Sequence, residues 1–477
     1  MPHRDQGRSA EINASALERC LKTLLAQADF SQVLFRSNCS WTALSVVSAL
    51  LFWVWSEART LVDRWKDARR LVGIIFDQVE LPKAYQPFIR LLRRHSDLLR
   101  DCVVMHFRGL MQERLGSCFR VGNFIAFAVD GSRVETPRTV SNEKAFAAKA
   151  KKGRPKKNQT KAERQKKRKK EQTKARLEKK EQTKADRLKA STPQIWLTML
   201  WHLGSGLPWA WRRGESGSSE RGHLREMLVE LPAKSLLVAD AGFTGYELWQ
   251  AILANGHNIL VRVGANVSLL TNLGLQREGS NRVWLWPDKH MSEGQPIPLR
   301  LVKRTQGRET VWLVTTILDR QQLSDALVGK IYRRRWGIEI YYRHLKQTFE
   351  RRKLRSHRAE NAVLELDWAL VGLWAVNLLA LLEDPKPDPP NVSMAGLLRA
   401  VRWAMRDALG KPEPGQDLFS RIRRARLDEY PRKQKASRDY PRQKRKERIG
   451  DPKIVPATES QRQLAKEYVM AEKALAI

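Results

Sequence analysis

The sequence predicts an α/β protein in which a mixed sheet lies between helical regions. Residues 1–118 place apolar side chains three and four positions apart, which is the spacing of helices that bury one face. Strand-like runs begin abruptly at Phe124–Ser132 and alternate with helical stretches as far as residue 264. Residues 271–323 change to short strand-like runs separated by turns. This order of elements is typical of a mixed α/β sheet with a β-rich insertion.

The N-terminal region is expected to be helical throughout. Residues 16–30 and 83–107 carry the clearest helical spacing. The apolar run Trp41–Trp55 is short for a membrane span and contains Ser and Thr, so it predicts a buried helix.

The central sheet is predicted from apolar runs and the turns between them. Phe124–Ser132 is nearly continuously apolar, as strands buried on both faces are. Residues 193–214 predict two strands joined by a Gly-rich turn, followed by a helix, the strand Ser235–Asp240, a second helix and a further strand. Thr244 and Glu247 have the spacing of a capping box at the start of that second helix.

Changes of composition set three expected domains. The first is the helical region at 1–118. The second, 119–383, is the α/β domain, with a basic inserted arm at 144–189 and the β-rich insertion at 271–323. The third, 384–477, contains a Pro-rich linker, one amphipathic helix and a basic tail.

The charge of the chain predicts a polyanionic partner. The formal net charge is +37, and self-repulsion on that scale favours binding to nucleic acid. An anionic membrane is the competing partner, disfavoured because the basic residues are spread over several regions. The four cysteines show no CxxC spacing and are too few for a disulfide framework, so they predict reduced thiols. Without a signal-peptide profile, we expect a cytoplasmic, nucleoid-associated protein and no membrane partner.

The arm at 144–189 is of low complexity. It holds 21 lysines and arginines against five acids, a net charge of +16, and repeats the unit "KKEQTKA". Such a segment cannot bury a core, and it is either a charged single helix or disordered until it binds. Within it, "KKGRPKK" around Arg154 is similar to an AT-hook, which lies in the minor groove of A/T-rich DNA. A generic phosphate-binding tract is the alternative.

The stretch Tyr332–Lys346 predicts a helix with one unusual face. On a helical wheel its Tyr332, Arg335, Glu339 and Lys346 share a narrow stripe beside an apolar face. A carboxylate among cations and a phenol would suit a helix that crosses a phosphate backbone. A solvated amphipathic helix with incidental charges is the alternative.

Two further acids favour a function for that helix. Asp130 and Asp240 each end an apolar strand, where a carboxylate is unfavourable to bury without a role. Ligand sites in α/β sheets gather at the carboxyl ends of strands. With Glu339, these residues could hold two divalent ions about 4 Å apart, which clamp the attacking and leaving oxygens of a phosphoryl displacement. Mg²⁺ suits such all-carboxylate sites.

The same residues carry a resemblance to a known family. The helix resembles the YREK signature of DDE transposases of the insertion-sequence-four family in four positions, Tyr332, Arg335, Glu339 and Lys346. "DGS" at Asp130 and "DAGF" at Asp240 are similar to that family's first and second Asp motifs, in the right order. The resemblance spans about residues 124–355, and the long basic arm departs from the family's usual pattern.

The resemblance implies an RNase H-like catalytic core and cut-and-paste DNA transposition. Asp130, Asp240 and Glu339 would be catalytic and would bind two Mg²⁺ ions, for which Mn²⁺ would substitute. Contacts to DNA are expected from four residues of the helix, Tyr332, Arg335, Arg343 and Lys346. The implied partner is double-stranded DNA, as transposon terminal inverted repeats and as target, held by a homodimer. Residues 1–118 would bind the ends, and 384–477 would serve dimerisation or DNA contact.

Trp312 lies on a predicted strand of the β-rich insertion. In relatives with a hairpin step, a Trp at a similar place stacks a flipped base, and stacking is worth roughly 1–3 kcal/mol per base. A tryptophan in a strand is also a common core residue, so both interpretations remain.

Two other classes of function compete with a transposase. One is a non-catalytic DNA-binding regulator or decayed transposase, which the intact acids at all three positions disfavour. The other is an RNase H-like nuclease that cuts without joining, disfavoured by the full signature and the β-rich insertion.

Overall fold

The computed structural model describes residues 2–36, 39–76, 79–147, 192–274, 281–288, 294–306, 309–383, 392–410, 417–425 and 450–475. Arg154 and the basic arm from residue 148 onward lie outside the described residues. The predicted start of the arm at Lys144 is too early. Lys144 is the last basic residue of a helix, Val140–Phe146, whose Phe146 is buried in the core.

Helices form both ends of the described chain. They are α1 (Pro2–Leu25), α2 (Ala43–Trp55), α3 (Leu61–Ile75), α4 (Tyr85–Arg114), α5 (Val140–Phe146), α6 (Glu220–Met227), α7 (Tyr246–Ala254), α8 (Asp325–Arg334), α9 (Trp336–Arg343), α10 (Ala359–Glu383), α11 (Met394–Ala408), α12 (Leu418–Ala425) and α13 (Glu459–Leu475). Their termini are frequently capped by Ser or Thr, as at Thr42 of α2 and Ser324 of α8.

The strands form one mixed sheet. They are β1 (Ala126–Glu135), β2 (Gln194–His202), β3 (Leu207–Gly214), β4 (Leu236–Ala239), β5 (Asn258–Val263), β6 (Ser268–Thr271), β7 (Arg282–Leu285), β8 (Ile297–Gln306), β9 (Glu309–Thr315) and β10 (Lys453–Pro456). In space their order is β10-β6-β7-β8-β9-β5-β4-β1-β2-β3.

Half of this sheet has the RNase H-like arrangement. In the order β3-β2-β1-β4-β5, β2 is antiparallel to both neighbours, while β4 is parallel to β1 and to β5. The predicted fold class, a mixed α/β sheet between helical regions, is therefore confirmed.

The β-rich insertion extends the same sheet. β9 pairs antiparallel with β5, and β8, β7 and β6 continue outward from it. β6 begins at Ser268, ahead of the expected boundary at 271. The C-terminal region holds more structure than the single predicted helix, since β10 pairs parallel with β6 and α13 follows it.

Helix α10 lies at the centre of the helical layer. It is long and apolar enough to cross a membrane, with a mean hydropathy of 1.6, but 89% of that apolar window is buried inside the protein. Gly372 lets α2 approach closely, because a Cβ at this position would meet the Val54 side chain. The Trp55 indole N–H donates to the Gly372 carbonyl at 2.9 Å. α10 is therefore built as a core helix.

The two ends of the chain share this core. α1 packs against α11, and the Asn13 side chain donates to buried Asp407 at 2.8 Å. One continuous apolar cluster joins these helices to the sheet. The core thus runs across the expected boundaries at residues 118 and 383.

The predicted capping box at α7 is wrong. Thr244 is buried and its hydroxyl donates to the Ala241 carbonyl, while Gly245, with φ of +145°, is the residue before the helix. The reason is that Asp240 caps a short 3₁₀ turn, Ala241–Phe243, that comes first. The chain must turn again before α7 can begin.

Candidate active site

Asp130 and Asp240 are brought together by strand register. β1 and β4 run parallel with Ala128 opposite Val238, so two residues further on Asp130 stands beside Asp240. The expectation that Asp130 ends its strand is wrong, because β1 continues to Glu135 along β2. β4 ends at Ala239, and the sheet opens at that point. Both carboxylates therefore lie at the mouth of this opening.

Asp130 is held by short-range contacts on both sides. Its Oδ1 accepts from the Gly131 N–H at 2.9 Å, and its carbonyl accepts from the Tyr342 hydroxyl at 2.8 Å. Burial, helped by the charges of Asp240 and Glu339, raises the pKa of Asp130 to about 6, although the Gly131 hydrogen bond and the charge of Arg335 act to lower it. The three predicted acids are thus close enough to interact.

The helix that carries Glu339 is interrupted. α8 ends at Arg334, α9 begins at Trp336, and a π-helical turn, His344–Thr348, follows. The single straight helix expected over 332–346 is therefore wrong. π-turns are frequent at functional sites.

Helix α9 lies directly on the sheet. A Cβ at Gly337 would collide with the Trp201 indole of β2, so glycine permits the close approach. The neighbouring apolar residues Ile338 and Leu345 are fully buried. This packing fixes the face of α9 that carries Glu339 toward the acids of the strands.

Glu339 is paired with a cation. Its Oε1 accepts from Arg335 Nη2 at 3.0 Å, and the Glu339 side chain is 33% exposed. The Arg335 guanidinium also lies 5.7 Å from the centroid of the Tyr332 ring. Three residues of the predicted stripe therefore form one contact group.

Lys346 completes the stripe from the π-turn. Its Nζ donates to the Ser132 hydroxyl at 2.7 Å, beside the Asp130 motif. Burial lowers the pKa of Lys346. Lys346 therefore lies beside the Asp130 motif, although the backbone between Glu339 and Lys346 is irregular.

Glu220 is a fourth acid at this site, which sequence reasoning missed. It is the first residue of α6, after the Ser219 cap, and its carboxylate lies against Gly131, where a Cβ would collide with it. Burial, and next the charges of Asp130 and Asp240, raise the pKa of Glu220 to about 7. The glycine after Asp130 signals that some group approaches closely, but it does not identify Glu220 as that group.

The acids do not form a ready-made metal cage. In the part of the chain that the structure describes, no three His, Cys, Asp or Glu side chains are close enough to hold an ion. Glu339 is turned toward Arg335 instead. The donor chemistry still fits a divalent cation, since carboxylates are the hard oxygen ligands that Mg²⁺ prefers. Burial outweighs the charges of the nearby arginines, so the pKa values of Asp130 and Glu220 are both raised.

Three other side chains, on β9 and α9, lie outside this group of contacts. The Trp312 indole is half-buried on β9, with its N–H donating to Asp451 at 2.8 Å. Arg343 is exposed at the end of α9. Trp336, which sequence reasoning passed over, is 54% exposed directly after Arg335.

Comparison with known proteins gives one family match. A model of the transposase DDE domain matches residues 124–378. The chain is 29% identical over 202 residues to the transposase InsG for insertion sequence element IS4 of Escherichia coli (strain K12). That match spans 39% of this chain and 43% of the relative, less than half of the relative's length. These findings confirm the resemblance to DDE transposases of the insertion-sequence-four family.

A solved structure is also similar at low level. The cryo-EM structure of a piggyBac transposase synaptic complex with hairpin DNA has a TM-score of 0.40 and 12% identity. The similarity covers 86% of this chain and 85% of that one.

Proposed function

The chain belongs to the DDE transposase family, whose domain model covers more than half of its residues, and on that premise we propose that it cleaves DNA at transposon ends and joins the freed ends to target DNA. The proposal includes a requirement for a divalent metal ion. The observation that carries it is the parallel register of β1 and β4, which aligns Asp130 with Asp240.

Asp130, Asp240 and Glu339 would hold the metal, which we propose to be two Mg²⁺ ions, with Mn²⁺ as a substitute. The two metal ions, when bound, would supply positive charge to the attacking and leaving oxygens of the phosphoryl displacement. Glu339 would have to leave Arg335, at present 3.0 Å away, to face the two strand acids. We propose that an arriving phosphate draws Arg335 away and thereby frees Glu339.

The cations of the stripe would bind and orient the DNA. Arg335 can bind a phosphate through two parallel hydrogen bonds from its guanidinium. Lys346 can donate a single hydrogen bond to a phosphate oxygen instead of to the Ser132 hydroxyl that it contacts now. The Tyr332 ring would help to position Arg335, whose guanidinium lies over it. Arg343 extends the same basic face, and Arg154 remains a proposed minor-groove contact from the arm.

Two exposed or half-exposed indoles are available to stack a base. Trp336 lies beside Arg335 and is 54% exposed. Trp312 is half-buried and engaged with Asp451, so it would have to release this contact first. We therefore assign base stacking at the site to Trp336 ahead of Trp312.

The remaining proposals concern assembly. Residues 1–118 would bind the ends, 384–477 would serve dimerisation or DNA contact, and a homodimer would hold two ends together. The protein would work in the cytoplasm, associated with the nucleoid.

The test uses a plasmid that carries the coding region with its flanking DNA. The full chain is incubated with it in Mg²⁺ or Mn²⁺, and both nicking and strand transfer are followed. Glu339→Gln should abolish both, whereas Glu113→Gln, an exposed glutamate of α4, should change neither. Nicking without joining would instead identify a nuclease, and binding without nicking a regulator.

A further inference from the structure

A pocket in the N-terminal helices is lined by arginine and aromatic side chains. It lies between α4 and the segment before α2, far from the acids in sequence, and has a volume of about 430 Å³. Its walls include three arginines, three aromatic rings and no acid: Arg36, Arg90, Arg94, Phe35, Trp41 and His95. We call it the arginine pocket.

The three arginines of this pocket have no partner within the described residues. The side chains of Arg36, Arg90 and Arg94 are all exposed, and the described part of the chain offers their guanidinium groups no ion pair or hydrogen bond. Arg90 and Arg94 are four residues apart on α4, where like charges repel and destabilise a helix. The fold thus keeps a concentration of positive charge that it does not neutralise.

The arginines of α4 that face the protein differ from those of the arginine pocket. Arg93, between the two, is paired with Glu360 at 3.4 Å and with Asn361 at 2.9 Å. Further along the helix, Arg100 and Arg108 are paired with acids at 2.6 and 2.5 Å. On α4, arginines that face the protein are matched with acids, and those of the arginine pocket are not.

A second pocket gives the same contrast. It is also arginine-rich, with a volume of about 440 Å³, and is lined by α4 and β3. Each of its arginines is paired with an acid: Arg100 and Arg213 with Asp367, and Arg108 and Arg212 with Glu230. Basic composition alone therefore does not produce a pocket without acids.

We propose that the arginine pocket binds the phosphate backbone of duplex DNA, away from the catalytic acids. Phosphate contacts of this kind fix position without reading sequence. The rings of Phe35 and His95, edge to face at 4.9 Å, form an apolar wall beside the cations. The choice of DNA rests on the proposed function, but the binding can be tested without any cleavage.

The test compares variants of one helix. Arg90→Gln/Arg94→Gln removes two pocket charges, and Arg114→Gln removes one exposed charge about 30 Å from Arg94 along α4. Fluorescence anisotropy measures binding of a labelled random duplex without divalent metal at several salt concentrations. The double variant should bind more weakly, with a salt slope lower by about 2, because each phosphate contact contributes about 0.9. Arg36→Gln should lower the slope by about half as much.

The outcomes separate this inference from the proposed function. Equal slopes for the double variant and Arg114→Gln would overturn the arginine pocket as a DNA site, even if the wild-type chain cleaves DNA. A lower slope in the double variant only would support it, even if the wild-type chain never cleaves. Thermal melting of each variant shows whether a loss of binding comes from a loss of folding.

Discussion

The two buried carboxylates of α10 and the carboxylates beside the end of β4 have opposite surroundings. Glu365 is fully buried and accepts from the backbone N–H groups of Arg355 and Ser356, both at 3.0 Å, and from the Ser356 hydroxyl at 2.9 Å. Asp367, two residues further along the helix, is fully buried and accepts from Arg100 at 3.0 Å. Donors within the protein therefore satisfy both buried carboxylates.

The acids at the end of β4 face one another instead. Asp130 and Glu220 each have a pKa raised mainly by burial, and both feel the charge of Asp240. Buried charge that is matched by several donors holds a fold together, whereas buried carboxylates that repel one another favour the binding of a cation. The first group should therefore govern stability and the second activity.

Asp130→Asn should give the largest effect, the loss of DNA cleavage, with no loss of stability. A folded-state pKa of about 6, above the ordinary value, means that ionised Asp130 is unfavourable at pH 7, so a neutral amide should leave the free energy of unfolding unchanged or raise it. Plasmid nicking and urea unfolding measure the two quantities. If Asp130→Asn unfolds more easily yet still cleaves DNA, Asp130 serves stability rather than activity, and the contrast with the acids of α10 fails.

Glu365→Gln should be the most destabilising of these changes. It removes the carboxylate beside buried Arg351, 3.6 Å away, and loss of one partner of a buried pair typically lowers the free energy of unfolding by about 3–5 kcal/mol. Glu360→Gln on the same helix is the matched control, because Glu360 is 73% exposed and its pair with Arg93 should contribute less than about 1 kcal/mol. Similar unfolding curves for both variants would show that the hydrogen bonds and the ion pair of Glu365 do not stabilise the fold.

His202 tests whether the interior accepts a new charge. It is fully buried, its Nδ1 accepts from the Ser205 N–H at 3.2 Å, and its Nε2 donates to the Phe119 carbonyl at 2.9 Å. Burial lowers the pKa of His202 to about 3, so between pH 3 and 6.5 the unfolded chain binds the extra proton and stability falls as pH falls. From pH 7 to 5 the wild type should lose about 2 kcal/mol more than His202→Gln. Equal losses in denaturant unfolding at the two pH values would contradict this.

Lys346→Ala should have the smallest effect, confined to DNA binding. One phosphate contact contributes about one unit to the salt slope. Lys234→Ala, an exposed lysine just before β4, is the control and should leave the slope unchanged. If the two variants have the same slope in a salt titration, Lys346 serves only to hold Ser132.

The sequence predicts those residues of the site that can be identified from their own segment of the chain. Asp130 and Asp240 follow apolar runs, and Glu339 is spaced from Arg335 by one helical turn, so each could be named from its own segment. Glu220 could not, because its approach to Gly131 depends on the packing of α6 against β1. A residue whose partner is distant in sequence leaves no periodic signal.

The backbone irregularities escaped prediction for a related reason. The break at Arg335 and the π-turn at His344–Thr348 preserve the face that a regular helix would give, so the pattern of charges is the same in either case. The joining of β9 to β5 and of β10 to β6 is equally invisible, because strand pairing partners are set by tertiary packing.

The short strand β10 has a consequence for shortening the chain. It pairs with β6 at one edge of the sheet, and Ala457 and Ala465 beyond it bury Leu270 and Trp284. A protein cut before residue 450 would keep all four acids and the whole stripe of α8 and α9. It would also present the bare edge of β6, which is a template for intermolecular strand addition. Such a truncation should precipitate on purification, so trimming for crystallisation should spare residues 450–475.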